Sequence, residues 1–152
     1  MKALTTLKLN GILKKNPVTK KTFIGTFPGC VSPSTNLKQY SFITNTNLHH
    51  QSGEHWNAWI VKGNHIIFFD SFGKYPRDNS FPDNYKNIVE KFDSFEFSKF
   101  QIQDLSIEAC GYFCVHFIYV LSLGLNFKSF MSEYEDNYIN NDIVVFDFIK
   151  ML

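Results

Sequence analysis

The stretch WNAWIVKGNHIIFFDSFG (56–73) contains two apolar runs separated by Lys62, Gly63 and Asn64. The runs WNAWIV and HIIFFD are rich in β-branched and aromatic residues, which favour strands. A Gly-Asn pair between two such runs is typical of a tight hairpin turn. The stretch therefore predicts a β-hairpin, in which positions 55 and 70 lie on neighbouring strands at the same end.

The patterns on both sides of this hairpin indicate an α+β fold. SFITNT (41–46) and FEFSKFQIQD (95–104) have the composition of strands. DNYKNIVEKF (83–92) places its apolar residues on one helical face behind an aspartate cap. ACGYFCVHFIYVLSL (109–123) is apolar almost all round and too long for an average buried strand, so it predicts a central buried helix that ends at Gly124.

The two ends of the chain carry weaker patterns. The first forty residues are expected to be irregular apart from a short helix at Leu4–Leu13. The tail EYEDNYINNDIVVFDFIKML (133–152) predicts a loop and then a helix with five apolar residues available for packing: Ile143, Val144, Phe146, Phe148 and Ile149. Residues 1–152 are thus expected to form one domain, with the central helix packed on a mainly antiparallel sheet.

Composition limits the kind of protein this can be. With 44% hydrophobic and 19% charged residues, the chain resembles a soluble globular protein. No apolar run is long enough to cross a bilayer, and lysines interrupt the apolar residues of the N-terminal segment, so an intracellular protein is expected. Its three cysteines lack the spacing of a disulfide framework, which suits a reducing compartment.

Charge is distributed unevenly along the chain. Residues 1–22 contain six lysines, whereas all 14 acidic residues lie after this segment. The simpler interpretation is a solvated, loosely held N-terminal arm. The alternative is an arm that attracts nucleic acid or another acidic surface.

Two cysteines lie in the apolar stretch IEACGYFCVHF (107–117). Cys110 falls in the first turn of the predicted helix, where backbone N–H groups and the helix dipole stabilise an anion. The thiolate is the nucleophilic form of cysteine, so this position suits a reactive thiol. Cys114 lies one turn deeper between apolar neighbours and is interpreted as a packed core thiol.

A cysteine nucleophile needs a base, a group that orients the base, and donors for the oxyanion. His55 begins the first hairpin strand and Asp70 ends the second, so antiparallel pairing places them together. His55 could exchange a proton with sulfur while Asp70 fixes the imidazole tautomer. Gln103, seven residues before Cys110, could direct its amide to the same place and join the Cys110 N–H in an oxyanion hole.

Each of these residues also has a simpler interpretation. A cysteine in an apolar helix is more often a core residue than a catalyst, and an aspartate at a strand end is more often a turn former. The other histidines are interpreted as structural. The sequence lacks a paired CxxC or HExxH element, which disfavours a metal site made of His49, His50, His55 and Cys110.

Four segments form an ordered set: FIGTFPGCVSPS (23–34), GEHWNAW (53–59), FFDSFG (68–73) and QDLSIEACGYFC (103–114). In this order they resemble FLGTxxxxFPGFVSP, GGVHWMAF, LFEPFG and the glutamine-to-ACGLFC stretch of adenovirus-type (adenain-like) maturation proteases. The first segment has a shorter interior here. Those proteases are cysteine endopeptidases in which His, Asp or Glu, Gln and Cys follow in that order. The resemblance implies their permuted papain-like fold for this chain.

The resemblance also implies a role for each of four residues. His55 would be the base and Asp70 the acid that orients it. Gln103 would be the oxyanion donor and Cys110 the nucleophile. Trp56 would shield the site, with plain core packing as the alternative. Residues 83–102 lack the cysteine that forms a disulfide with an activating peptide in adenoviral relatives. Any peptide activator is therefore expected to bind without a disulfide, and no metal cofactor is expected.

The resemblance implies a protease that processes capsid and core precursor proteins during virion maturation. The short chain is similar to the enzymes of Maverick/polinton or virophage-like elements, so a location in the virion, host nucleus or viral factory is expected. DNA is an expected weak partner through the N-terminal lysines, and no membrane partner is expected. Two alternatives stay open: a SUMO-type deconjugating protease, which shares the residue order, and a catalytically silent, DNA-associated structural relative.

Overall fold

The predicted hairpin lies in the middle of a five-stranded sheet in the computed structural model, which describes residues 2–46, 55–104 and 108–152. The strands are β1 (Phe23–Pro28), β2 (Gln39–Asn45), β3 (Trp56–Lys62), β4 (His65–Phe69) and β5 (Ser94–Phe97). They are arranged in the order β1-β2-β3-β4-β5. The three central strands pair antiparallel, as predicted, whereas both edge strands pair parallel with their neighbours.

Helices cover both faces of this sheet. They are α1 (Thr6–Lys15), α2 (Asn84–Glu90), α3 (Cys110–Ser122), α4 (Phe127–Ser132) and α5 (Tyr138–Lys150). One apolar cluster joins α1, α3 and α5 to one face of the sheet, and a second joins α2 to the other face. The predicted α+β class, with a central buried helix on the sheet, is confirmed. Within the described ranges, no helix is long and apolar enough to span a membrane.

The hairpin turn fixes which residues meet at the end of the sheet. Gly63 has a φ of +60°, a conformation that glycine adopts at no steric cost. The turn sets a register in which Ala58 pairs with Phe69. Continuing this register beyond the paired residues brings Asn57 opposite Asp70 and position 55 opposite position 72.

Helix α3 is the predicted central helix, shorter by one residue at each end. Its residues Phe113, Cys114 and Val115 are fully buried, which explains the lack of a polar stripe in its sequence. At Gly111 the helix packs so closely that an added Cβ would lie 3.1 Å from the Leu4 Cβ. A glycine after Cys110 therefore lets the start of α3 pack closely against the N-terminal segment.

The N-terminal segment differs from the expected loose arm. Leu9 and Leu13 of α1 are fully buried, so the segment is part of the core. The backbone oxygen of Leu4 accepts a hydrogen bond of 3.0 Å from the Trp56 indole. Its six lysines are all exposed. The segment FIGTFP, expected to be irregular, forms β1 because it pairs in parallel with β2.

The strand predicted over 95–104 is also shorter than expected. Strand β5 ends at Phe97, and Ser98 then bonds to the backbone of Asp70. The residues that follow are not part of the sheet, although Ile102 and Gln103 both donate backbone hydrogen bonds to the Ser71 oxygen. Gln103 therefore lies in a loop instead of at a strand end.

Two further local predictions need correction. Asp83 precedes α2, but its side chain makes no capping hydrogen bond. The predicted last helix is present as α5, and Phe146 and Ile149 pack against the core as predicted, but Ile143 and Val144 are 52% and 56% exposed. Asn141 is buried instead, because its amide nitrogen donates to the Ile102 and Glu135 backbone oxygens.

Candidate active site

The residues predicted to act as base and orienting acid are in direct contact. His55 Nε2 forms a short hydrogen bond with Asp70 Oδ1. The imidazole also stacks on Phe72, with ring centroids 5.0 Å apart and planes 22° from parallel. The His55 side chain is 18% exposed and that of Asp70 is fully buried. The hairpin register thus brings together two residues separated by 15 positions, and Phe72 limits the rotation of the imidazole.

Asp70 is held by donors from several elements. Asn57 Nδ2 donates to Oδ1 at 2.8 Å, and the Lys74 backbone N–H donates to Oδ2 at 3.0 Å. Ser98 bonds to both the backbone nitrogen and the backbone oxygen of Asp70, each at 2.8 Å. Each carboxylate oxygen of Asp70 therefore has a donor other than His55 that orients it. A buried carboxylate requires such donors, since an unsatisfied one is costly.

Cys110 approaches the same imidazole from α3. Burial alone lowers the pKa of His55, but side-chain hydrogen bonds to Asp70 and Cys110 and the charges of both raise that pKa from 6.5 to about 9. Cys110 is the first residue of α3 and is 5% exposed. Because Nε2 of His55 is engaged by Asp70, the other ring nitrogen, Nδ1, is the one available for proton exchange with sulfur. The arrangement can support an imidazolium next to a thiolate.

Cys114 has different surroundings, although it lies one turn away on the same helix. It is fully buried, and burial, together with the charges of Cys110 and Asp70, raises its pKa. A thiol with a raised pKa is a poor nucleophile at neutral pH. The contrast agrees with the interpretation of Cys114 as a core residue.

Gln103 lies beside Ser71, in the loop between β5 and α3. Ser71 Oγ donates a hydrogen bond of 2.5 Å to Gln103 Oε1, and Gln103 is 1% exposed. Because Ser71 donates to the oxygen of this amide, the orientation of the amide is fixed, and Nε2 is its donor end. Ser71 directly follows Asp70 in the chain, so one turn supports both the acid and the amide.

The remaining predicted residues have simpler surroundings. Trp56 is 6% exposed, and its indole bond to Leu4 anchors it in the core. His116 Nδ1 lies 2.5 Å from the Tyr134 hydroxyl, and burial lowers its pKa to about 4. His65 bonds to the side chains of Ser94 and Glu96 on the adjacent strand.

The metal site considered from the sequence consists of His49, His50, His55 and Cys110. His49 and His50 lie outside the described residues. Among the residues that are described, no group of three or more His, Cys, Asp or Glu side chains could hold a metal ion.

Sequence reasoning missed three members of this site: Asn57, Ser71 and Phe72. Asn57 could have been found from the hairpin register, which places it opposite Asp70. Ser71 and Phe72 lie in the quoted segment FFDSFG, but residue type alone does not reveal a contact with Gln103 or with His55. Their roles depend on which loops meet at this end of the sheet.

No protein-family model and no curated protein matches the sequence. The pS273R protease of the virus ASFV superposes with a TM-score of 0.63 and 13% identity, covering 94% of this chain and 66% of that chain. A selenomethionine form of that protease gives a TM-score of 0.48 and 15% identity, covering 71% and 43%. The chain thus spans slightly less than two thirds of that protease, and the likeness shows that it shares the fold of a viral protease.

Proposed function

We propose that this chain is a cysteine endopeptidase in which Cys110 is the nucleophile, His55 the base and Asp70 the acid that orients the base. One observation carries the proposal. His55 forms hydrogen bonds with both the Asp70 carboxylate and the Cys110 side chain, at the first residue of a buried helix. A nucleophile, a base within hydrogen-bonding reach and a third group that orients the base are the parts that covalent acyl transfer needs.

The reaction follows from these positions. Cys110 Sγ attacks the scissile carbonyl carbon, with its proton held on His55, and forms a tetrahedral intermediate whose oxygen is negative. His55 then gives the proton to the leaving amine as the carbon–nitrogen bond breaks, which leaves a thioester. Water, deprotonated by the same imidazole, attacks the thioester and releases the acid product together with the free thiol. Asp70 stabilises the imidazolium at each of these stages.

The negative oxygen needs donors, and two groups at the site can supply them. The Cys110 backbone N–H lies in the first turn of α3, where N–H groups are not used by the helix's own hydrogen-bond ladder. Gln103 Nε2 is the donor end of an amide whose oxygen is fixed by Ser71. Donors held in place before reaction stabilise the developing charge without reorganisation.

We expect Gln103→Ala to lose ~3 kcal/mol of transition-state stabilisation. This loss should lower kcat/KM, mainly through a lower kcat. Gln103→Glu is the matched variant, because it keeps an oxygen for Ser71 and removes the N–H donor. Steady-state kinetics on a fluorogenic peptide would measure both. A rise in KM with kcat unchanged would instead make Gln103 a substrate-binding residue.

We propose that the biological role of this protease is processing of capsid and core precursor proteins during assembly of a DNA virus or a related element. Two independent observations support it: the ordered motif resemblance and the shared fold with an ASFV protease. The test is cleavage of a peptide library, read by mass spectrometry, with Cys110→Ala as the control. Cleavage confined to SUMO-type fusion proteins would favour the deconjugating alternative, and no Cys110-dependent cleavage at all would contradict the proposal.

We also propose weak DNA binding through exposed lysines of the N-terminal segment, at positions 14, 15, 20 and 21. Replacing all four with glutamine should abolish most of the affinity. For four phosphate contacts, affinity should fall roughly a hundredfold between about 50 and about 200 mM salt. Fluorescence anisotropy with duplex DNA measures this, and the matched control replaces four other exposed lysines: Lys38, Lys91, Lys99 and Lys128. Equal loss in the control variant would argue against a defined DNA-binding segment.

A further inference from the structure

A chain of buried hydrogen bonds leads from the side of the sheet covered by α2 to the Asp70 carboxylate. Trp59 Nε1 lies 2.9 Å from Thr44 Oγ1, which lies 2.7 Å from the Tyr85 hydroxyl. The Tyr85 hydroxyl lies 2.9 Å from Asn57 Oδ1, and Asn57 Nδ2 lies 2.8 Å from Asp70 Oδ1. The chain therefore crosses from β2 and β3 to α2 and back to β3.

The direction of every bond in this chain is fixed by its ends. An indole N–H can only donate, so Thr44 accepts from Trp59. Tyr85 donates its single hydroxyl proton to Asn57 Oδ1, so it must accept from Thr44. Asn57 then donates to Asp70. All four bonds point the same way, and their dipoles present positive ends to the carboxylate.

We propose that Asn57, Tyr85 and Thr44 are positioning residues, which hold Asp70 towards His55 through this one-directional chain of hydrogen bonds. The inference rests on the proposed cysteine-protease site, because it assigns a purpose to the orientation of Asp70. None of the three residues touches His55 or Cys110 in a described contact. Asn57 is the member of the chain that bonds to Asp70, so the chain acts on the reaction through that carboxylate.

The hydrogen bonds of this chain lie in a buried environment, which strengthens their hold on Asp70. Thr44, Asn57, Trp59 and Tyr85 are each fully buried, so water does not compete for these bonds. Burial also raises the pKa of Tyr85, which keeps the hydroxyl protonated and able to donate. In such surroundings, aligned hydrogen bonds polarise one another and strengthen the last bond of the chain.

The geometry also explains why an asparagine stands two residues after His55. Thr44 pairs with Asn57 in the register between β2 and β3. The Asn57 side chain has to accept from Tyr85 through its amide oxygen and donate to Asp70 through its amide nitrogen. An aspartate could not donate to Asp70, and an aliphatic residue could do neither. The amide thus connects the Tyr85 hydroxyl to the acid.

The test is Tyr85→Phe, which removes the hydroxyl and keeps the ring that packs against Trp59 and Phe81. The readouts are the pKa of His55 by NMR, assigned with a His55→Gln spectrum, and the pH profile of Cys110 alkylation by iodoacetamide. Among the described residues, the charged groups that act on His55 are Asp70 and Cys110. We expect the pKa of His55 to fall by about one unit and kcat to fall about tenfold, because Asn57 without its bond from Tyr85 holds the Asp70 carboxylate less firmly towards His55.

Matched variants separate this role from a structural one. Tyr134→Phe removes a tyrosine hydroxyl bonded to His116, away from Asp70, and should leave the pKa of His55 unchanged. Thr44→Val breaks the chain and should lower that pKa as well, whereas Thr44→Ser keeps the hydroxyl and should restore it. Thr44→Val also serves as the test if Tyr85→Phe does not fold.

The outcomes distinguish a failure of the positioning chain from a failure of the proposed cysteine-protease function. A wild-type pKa of His55 in both Tyr85→Phe and Thr44→Val would overturn the positioning chain. So would an equal shift in Tyr134→Phe. If wild-type Cys110 instead alkylates with the same pH profile as His55→Gln, the cysteine–histidine site itself is wrong, and the proposed function falls with it.

Discussion

Peptide cleavage is expected to fall to background in Cys110→Ala, by ~10⁴-fold or more, because the variant has no atom that can form the thioester. Cys110 is the described thiol that bonds to the His55 imidazole. Its replacement by alanine removes one sulfur from the start of α3 and leaves the buried segment of the helix intact. The measurement is turnover of a fluorogenic peptide at matched enzyme concentration, with folding checked by circular dichroism.

Cys114→Ala is the control for this experiment, since it removes the same atom one helical turn away. Cys114 is fully buried, so its loss should cost about 1 kcal/mol of unfolding free energy through a small cavity. Most of the activity should remain. Equal loss of activity in both variants, with both folded, would mean that sulfur at position 110 has no special role. Cys30→Ser removes the exposed third thiol and keeps alkylation measurements specific.

The site was predictable from the sequence where it depends on local structure. The turn at Gly63 sets the hairpin register, which places His55 and Asp70 on neighbouring strands at the same end of the hairpin. Likewise the apolar run after Cys110 predicts a buried helix, and a helix beginning there places its N-terminus at the thiol. These inferences need only strand pairing and helical periodicity, which short-range sequence patterns encode.

The positioning groups were not predictable in the same way. Asn57, Ser71 and Tyr85 are ordinary polar residues whose partners lie 13 to 41 positions away in the chain. Which partner each one meets depends on loop paths and on how α2 packs, and no local pattern encodes either. A buried hydrogen bond between distant side chains is a property of the folded chain.

Packing preferences misled the prediction at both ends of the chain. The lysines of the N-terminal segment suggested a loose arm, but Leu9 and Leu13 lie a helical turn apart and bury α1 against the sheet. In α5 the apolar residues Ile143 and Val144 suggested a packing face. Asn141 is buried there instead, because it satisfies backbone groups of two other segments. The helix still packs against the core through Phe146 and Ile149, so the prediction from hydrophobicity was wrong at Ile143 and Val144.

We expect Asp70→Asn to lower kcat by ~10⁴-fold while the domain stays folded. The Asp70 carboxylate accepts from His55 and Asn57 at one oxygen and from the Lys74 N–H at the other. The asparagine side chain has only one oxygen, so its NH2 group must face a donor in either orientation. If the amide faces His55, the imidazole is held in the wrong tautomer; if it faces Lys74, the charge that stabilises the imidazolium is still lost. Near-normal turnover would show that another group orients His55.

A second, independent prediction for Asp70→Asn concerns how the stability of the protein depends on pH. In the folded protein the pKa of His55 is raised from 6.5 to about 9, so its protonated form favours folding. This stabilisation is fully present below pH 6.5 and is lost as the pH rises through 9. The difference in unfolding free energy between wild type and Asp70→Asn should therefore shrink over that range, by no more than about 3 kcal/mol. Urea unfolding at several pH values measures it, with His55→Gln as the control that should remove the slope. A difference that is constant from pH 6 to pH 10 would mean that Asp70 does not raise the pKa of His55, and that the tight contact between them has no electrostatic role.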